Sequence, residues 1–341
     1  MANADGAGRE AVVKDVGLVG LPYSGASTLF TALTRTGAAG GRANQAVVDV
    51  PDPRLGVLAE LEHSRKVVPA QVRFVDVPGG MGTQAIAALR VADALCVVVR
   101  AFGADTDPAR DLAEVTATLI LADLTVVESA LENAEKRVKG RPAKDGPPAE
   151  VETLRRAHEA LSSERLLRDE GFDEESRKHL LGLAPLTLKP WVVVANLEEG
   201  SSIPPGLPAG TVGVWAEIEA ETAAMTPEEA HDLLKEFGVN EPGLQEVIAA
   251  CYRALDLVTF LTTGEDETRA WEVRRGAAAP EASGAIHTDL QRGFIRAEVV
   301  SYDDLVGAGG WDAAKARGLL RVEGKDYVVR EGDVVHVRFA V

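Results

Sequence analysis

Residues 16–34, VGLVGLPYSGASTLFTALT, constrain the fold more than any other stretch of the chain. An apolar strand enters a glycine-bearing turn, and the turn leads straight into a helix. This is the frame of the phosphate-binding loop Gly-x-x-x-x-Gly-Lys-Ser/Thr, whose backbone N–H groups and helix N-terminus face an anion. Gly20 and Gly25 fill the glycine positions, Ser27 fills the hydroxyl position, and Ala26 stands where the lysine belongs. The spacing predicts a phosphate cradle that lacks its usual cation.

The rest of the first half supports an α/β, doubly wound, mostly parallel sheet, because short apolar runs alternate with helical patterns. VVKDVGLVG, AQVRFVDVPGG, DALCVVVRAF, KPWVVVAN (189–196) and TVGVWAE (211–217) read as strands. ASTLFTALTRTG, TQAIAALRVA and GLQEVIAACYRAL read as helices, the first ending at Gly37. Between the third and fourth of these strands lies an insertion, residues 111–184. Leu112, Val115, Leu119, Ala122 and Val126 recur at three- and four-residue spacing, one apolar stripe of a long helix. RPAKDGPP breaks it, and AEVETLRRAHEALSSERLLRDEG follows as a charged second helix, so an antiparallel helical hairpin is expected. From residue 256 the pattern changes to short strands, RAWEVRRG, GFIRAEVV, KDYVVREG and VVHVRFAV, the mark of a small α+β module. The expected domains are 1–110 with 185–255, the inserted hairpin 111–184, and the C-terminal module 256–341.

Composition narrows the function classes. The formal charge of −17 disfavours non-specific binding to naked nucleic acid, so a DNA partner is not expected, although a local basic patch could touch RNA. The arginines of the C-terminal module, Arg269, Arg274, Arg275, Arg292 and Arg296, are interleaved with acids and read equally as a solvated mixed surface. No apolar run is long enough to span a bilayer, and MANADGAGRE lacks the features of a secretory signal. Cys96 and Cys251 are far apart and unaccompanied, which argues against a disulfide framework or a zinc site. A cytoplasmic protein with no membrane partner is expected. His287 lies in the C-terminal module, remote from the P-loop, and reads as structural or as a surface contact.

Several stretches together carry a family resemblance: GLPYSGASTLFTALT, PDPRLGVL, RFVDVPG, LTLKPWVVVANLEE, EPGLQEVI, and IHTDLQRGFIRAEVVSYDDL followed by EGKDYVVREGDVVHVRF. In order, from residue 16 to 341, they resemble the YchF-type Obg-like ATPases. The last stretch resembles that family's TGS domain, a ubiquitin-like β-grasp. The resemblance implies a P-loop protein of the translation-factor class that prefers ATP over GTP and associates with ribosomes.

The resemblance also implies roles. Gly20, Tyr23, Ser24, Gly25, Ala26, Ser27, Thr28 and Gly79 would face the nucleotide phosphates. Ser27 and Asp76 would hold Mg²⁺ with ATP or GTP. Asn196 and Glu199, at Asn-x-x-Glu spacing, would meet the base, with Trp215 and Ala216 beside them; Trp215 could stack on a base or block it. The departures converge on the γ-phosphate end. The lysine is lost, and no threonine occurs between Gly37 and Pro51. The second switch is reduced to GMGTQAIAA, and RAFGADTDPARD lacks the family's histidine. A hydrogen bond to a charged group contributes roughly 1.5–3 kcal/mol, so loss of the lysine should weaken binding by about tenfold to over a hundredfold. Hydrolysis should suffer more, because that cation stabilises the transition state.

Three readings stay open. The chain is a weak nucleotide-binding protein with impaired hydrolysis, acting through the ribosome, ribosomal RNA or a protein partner. Alternatively it is an active Mg²⁺-dependent ATPase or GTPase with a substitute cation, Arg42 or, less well placed, Arg35. Or it is a nucleotide-free scaffold, which Tyr23 or Trp215 folding into the pocket would favour.

Overall fold

The computed structural model describes residues 13–34, 44–77, 80–139, 148–222, 225–237, 239 and 243–340. Their elements are β1 (Lys14–Val19), α1 (Ala26–Thr34), β2 (Asn44–Asp49), α2 (Pro53–Glu62), β3 (Val67–Val68), β4 (Gln71–Asp76), α3 (Thr83–Val91) and β5 (Ala94–Ala101). There follow α4 (Pro108–Val138), α5 (Ala149–Ser162), α6 (Glu174–Leu181), β6 (Trp191–Leu197), β7 (Val212–Val214), α7 (Ala216–Thr222), α8 (Pro227–Glu236) and α9 (Gly243–Ala254). The C-terminal part holds β8 (Leu257–Thr262), β9 (Thr268–Arg274), α10 (Ala279–Ile286), α11 (Thr288–Arg292) and β10 (Phe294–Ser301). It ends with α12 (Tyr302–Ala308), α13 (Trp311–Ala316), β11 (Arg321–Glu323) and β12 (Asp333–Phe339).

The chain divides into two compact units, one built from Asp15–Ala46 and Arg73–Ala254, the other mainly from Val47–Val72 and Leu255–Val341. This partition keeps α4 to α6 within the first unit. It groups α2 and β3 with the C-terminal residues, whereas the sequence pattern places residues 1–110 in one domain.

The first sheet has the order β2-β4-β1-β5-β6-β7, with β1, β5, β6 and β7 mutually parallel. A central parallel strand is covered on both faces and so reads as a continuous apolar run. In β5, Ala94 to Val99 are all fully buried. α4 starts at Asp107, whose side chain accepts from Arg110 N, with Pro108 at the first helical position where no amide is needed. α4 and α5 run antiparallel, with Arg137 bonded to Glu150 and Arg155 to Glu135, over a core that includes Val127, Leu154 and Leu161.

One polar group lies inside that packing. Asp123, fully buried on α4, accepts from Arg90 Nη1 at 2.8 Å, Leu186 N at 3.0 Å, Thr187 N at 2.7 Å and Thr187 Oγ1 at 2.8 Å. Arg90, in the last turn of α3, also donates to Ala122 O and Ala184 O. Lys189 donates through Nζ to Arg90 O and Ala92 O, and burial pushes its ammonium below the ordinary lysine range. The C-terminal end of α3 is thus tied to α4 and to the segment before β6.

The second sheet has the order β11-β10-β12-β8-β9-β3. β8 and β9 are antiparallel, β10 and β12 are antiparallel, and β12 runs parallel to β8. With α10 against it and a core of Phe260, Trp271, Phe294 and Val299, it is a β-grasp arrangement.

The sequence pattern differs from these elements in several places. KDYVVREG forms no strand; its one pairing is an isolated bridge, Val328 to Ala278. The strand read at 211–217 stops at Val214, because Ala216 already begins α7. The second hairpin helix ends at Ser162. β2, α2 and β8 had no counterpart in the pattern. The breaker up to residue 147, the end of the first helix at Gly37, Arg35 and Arg42 lie outside the described residues, and Pro148 caps α5. Cys96 and Cys251, distant in sequence, meet on β5 and α9: both are free and buried, and a mutual hydrogen bond together with burial pushes the Cys96 thiol well up.

Candidate phosphate and base site

The turn between β1 and α1 lines a cavity of about 440 Å³ with Leu18 to Thr28, Asp76, Val77 and Gly80. Its shape depends on residues a substitution would disturb. Gly25 has φ +88°, and a Cβ there would lie 2.1 Å from Asn196 Nδ2. A Cβ on Gly20 would lie 2.6 Å from Val98 O. Tyr23 also adopts a left-handed conformation, φ 68°, which is costly for a bulky side chain. Its ring is 87% exposed, so it does not fold into the cradle. Ser24 N donates to Leu21 O, closing the turn, and Ser24 Oγ is buried with no hydrogen-bond partner among the described residues.

Ala26 opens α1, half-buried, and Ser27 and Thr28 follow it, exposed. Asp76, the last residue of β4, is 3% exposed, and its Oδ2 is buried with no hydrogen-bond partner among the described residues. A buried carboxylate oxygen left unmatched is costly, and in native structures such a group is met by a water, an ion or a ligand. A carboxylate and a hydroxyl lining one cavity are the hard oxygen donors that Mg²⁺ takes, so Asp76 and Ser27 fit that ion. Gly79 lies outside the described residues.

A second cavity, about 770 Å³, adjoins through Tyr23, Gly25 and Thr28 and is walled by Phe102, Gly103, Asn196 to Glu199, Trp215, Glu217 and Ile218. Asn196 does not face it as a free reader of a base. Its Nδ2 donates to Ser24 O at 3.1 Å and its Oδ1 accepts from Ala216 N at 3.2 Å. It ties the phosphate turn to the start of α7. Glu199 sits exposed in the turn after β6. Trp215 is half-buried, with Nε1 donating to Glu198 O at 3.1 Å, so it forms a wall of the cavity.

Two residues were not foreseen. Phe102 lines the second cavity and carries Arg100 on its ring, 5.1 Å from guanidinium to centroid. The run VVVRAF read only as the end of a strand. Glu219, 1% exposed, accepts from Trp215 N, Gly243 N and Leu244 N at 3.0–3.1 Å. It fastens the Trp215 wall to the first turn of α9, and nothing in VWAEIEAE distinguishes it from its acidic neighbours. Burial raises its carboxyl above the ordinary glutamate range, with the three N–H donors acting the other way. An acid whose folded pKa is raised contributes stability below its unfolded pKa and loses it as pH rises through the folded value. Wild type should therefore lose stability relative to Glu219→Gln as pH climbs above about 4.3, measured by urea midpoints at a series of pH values.

In the C-terminal unit, His287 Nδ1 accepts from Asp289 N and caps the short α11. Arg269 stacks on Trp271 at 4.0 Å, and Arg275 pairs with Asp256. No group of three or more His, Cys, Asp or Glu suited to a metal occurs among the described residues. No described helix is long and apolar enough to cross a membrane.

A parallel sheet that delivers a glycine turn into a helix N-terminus, with a carboxylate ending the neighbouring β4, defines a P-loop nucleotide-binding fold, here joined to a β-grasp unit. The family model YchF-GTPase_C, described as "Protein of unknown function (DUF933)", matches residues 257–340. The "Ribosome-binding ATPase YchF" of Bacillus subtilis is 40% identical, covering 95% of this chain and 99% of that protein. Its namesake in Escherichia coli O157:H7 is 37% identical with the same coverage. The structure of the Schizosaccharomyces pombe YchF GTPase superposes with a TM-score of 0.85 at 28% identity, covering 97% of this chain and 99% of that one. The chain belongs to the YchF family.

Proposed function

We propose that this YchF-family protein binds ATP or GTP weakly, with Mg²⁺ at Ser27 and Asp76, and has impaired hydrolysis. It acts in the cytoplasm through the ribosome, ribosomal RNA or a protein partner. One observation supports the nucleotide reading above the rest: the cradle keeps its turn, its Asn196 tether and the orphaned Asp76 oxygen, while Ala26 occupies the lysine position. A cation in the cradle would match that oxygen. Gly20, Tyr23 to Thr28 and Gly79 are assigned to the phosphates, and Asn196, Glu199, Trp215 and Ala216 to the base end. Asn196 acts there through the backbone it holds. Mg²⁺ would neutralise charge between the phosphates. The ribosome is proposed because the relatives carry "ribosome-binding" in their names.

Phosphate release from Mg²⁺–ATP should stay at the no-protein background. Ala26→Lys should remain poor as well, because the switch threonine and the histidine are still missing. Wild-type turnover at or above roughly 10⁻³ s⁻¹, near the range of unassisted P-loop hydrolysis, would overturn the impaired-hydrolysis reading.

A further inference from the structure

The two cavities share an electrostatic feature that the loss of one lysine does not by itself require. Among the described residues that line them there is no lysine or arginine. There are four carboxylate residues: Asp76 in the phosphate cradle, and Glu198, Glu199 and Glu217 around the base cavity. Arg100 is near, but it is engaged elsewhere, with Nε donating to Phe102 O at 3.2 Å and its guanidinium over the Phe102 ring. The N-terminus of α1 offers only about half an elementary charge. A nucleoside diphosphate or triphosphate brings several negative charges into this acidic setting, where like charges repel over short distances. The backbone cradle gives such a ligand shape and hydrogen bonds, and its described lining adds no side-chain cation to oppose that charge.

We propose that the counter-charge in this site is supplied with the ligand: the protein takes a nucleoside diphosphate or triphosphate only as its complex with a divalent cation. Ser27 and Asp76 are the groups that make this possible. Asp76 serves in two ways. Its unpartnered buried oxygen attracts the cation's shell, and its charge repels a bare polyphosphate. In a P-loop with its lysine, the ammonium neutralises part of the phosphate charge whether or not a metal is present. In this chain Ala26 leaves that part to the metal. The inference rests on the reading of these cavities as a nucleotide site and adds the species that enters it.

Equilibrium dialysis of the full chain with ADP, in excess magnesium and in EDTA, tests this without reference to turnover. Wild type should lose affinity for ADP by roughly tenfold or more when magnesium is chelated, the scale of one charge-assisted contact. Ala26→Lys should lose markedly less, because its ammonium replaces part of the metal's charge. Asp76→Asn should bind Mg²⁺–ADP more weakly than wild type and metal-free ADP no worse. Equal affinity of wild type for ADP with and without magnesium overturns the inference and leaves the nucleotide reading standing. So does metal-free binding that disappears in Arg42→Ala, which would place the counter-charge on the protein. Absence of binding to Mg²⁺–ADP at millimolar concentration overturns the nucleotide reading itself.

Discussion

Asp123→Ala is expected to lower the unfolding free energy by about 3–5 kcal/mol, the cost of removing one partner of a buried ion pair. The size follows from what the carboxylate holds. It is fully buried and takes four donors, from Arg90, Leu186 and Thr187. In the alanine variant the Leu186 and Thr187 amides are buried without acceptors, and each such group costs about 1–3 kcal/mol. Arg90 keeps its bonds to Ala122 O and Ala184 O but loses the Asp123 carboxylate, so its positive charge remains at the end of α3 with the Lys189 ammonium nearby. Thr187→Val removes one of the four bonds and should cost about 1 kcal/mol. Urea unfolding measures the loss, and hydrogen exchange at the Leu186 and Thr187 amides localises it. A loss below about 1 kcal/mol, with those amides still protected, would mean that the surrounding carbonyls and packing suffice.

Ala26→Lys is expected to raise affinity for ATP or ADP by about tenfold to a hundredfold, from one restored charge-assisted contact of roughly 1.5–3 kcal/mol. Position 26 is the first residue of α1 and lines the cradle, so the new side chain starts from the place where a P-loop lysine starts. The gain should fall on the phosphates alone. Adenosine should bind both forms alike, and a comparable gain for adenosine would show that the substitution acts by altering the cavity rather than by charge. Fluorescence titration of the wall residue Trp215 reads both ligands.

The part of the fold that was legible in sequence is the part that periodicity controls. β5 carries a continuous apolar run because both faces are covered, as do the buried end of β1 and the first five residues of β6, and α4 shows an apolar stripe along its covered face. The P-loop frame was legible because its glycines answer to backbone geometry: a side chain on Gly25 would collide with Asn196. What escaped depends on tertiary partners. Asp123 interrupts the α4 stripe with a charge, and its donors lie 33 to 64 residues away. β2 is half-exposed with a weak alternation, and β8, a short apolar run two residues after α9, carries no alternation that marks it as a strand. KDYVVREG has the composition of a strand, yet only one of its residues finds a bridge.

The site shows the same division. Residue types at fixed spacing, Gly20, Gly25, Ser27, Asp76 and Asn196, were readable, and the structure brings them to adjoining cavities. The work each group does was less readable. Asn196 spends both ends of its amide on Ser24 O and Ala216 N, so the spacing found the residue and missed the tether. Phe102 and Glu219 shape the second cavity through packing and a buried helix start, which no local pattern announces.

The measurement that bears most directly on this account is a calorimetric titration of the wild-type protein with Mg²⁺–ADP. A phosphate cradle intact but short of one cation predicts a single saturable site with a dissociation constant between about 10 μM and 1 mM, or about 4–7 kcal/mol of binding free energy by the usual conversion. Heats no larger than dilution at millimolar nucleotide would contradict it, and would assign this chain's role to its surfaces rather than to its P-loop.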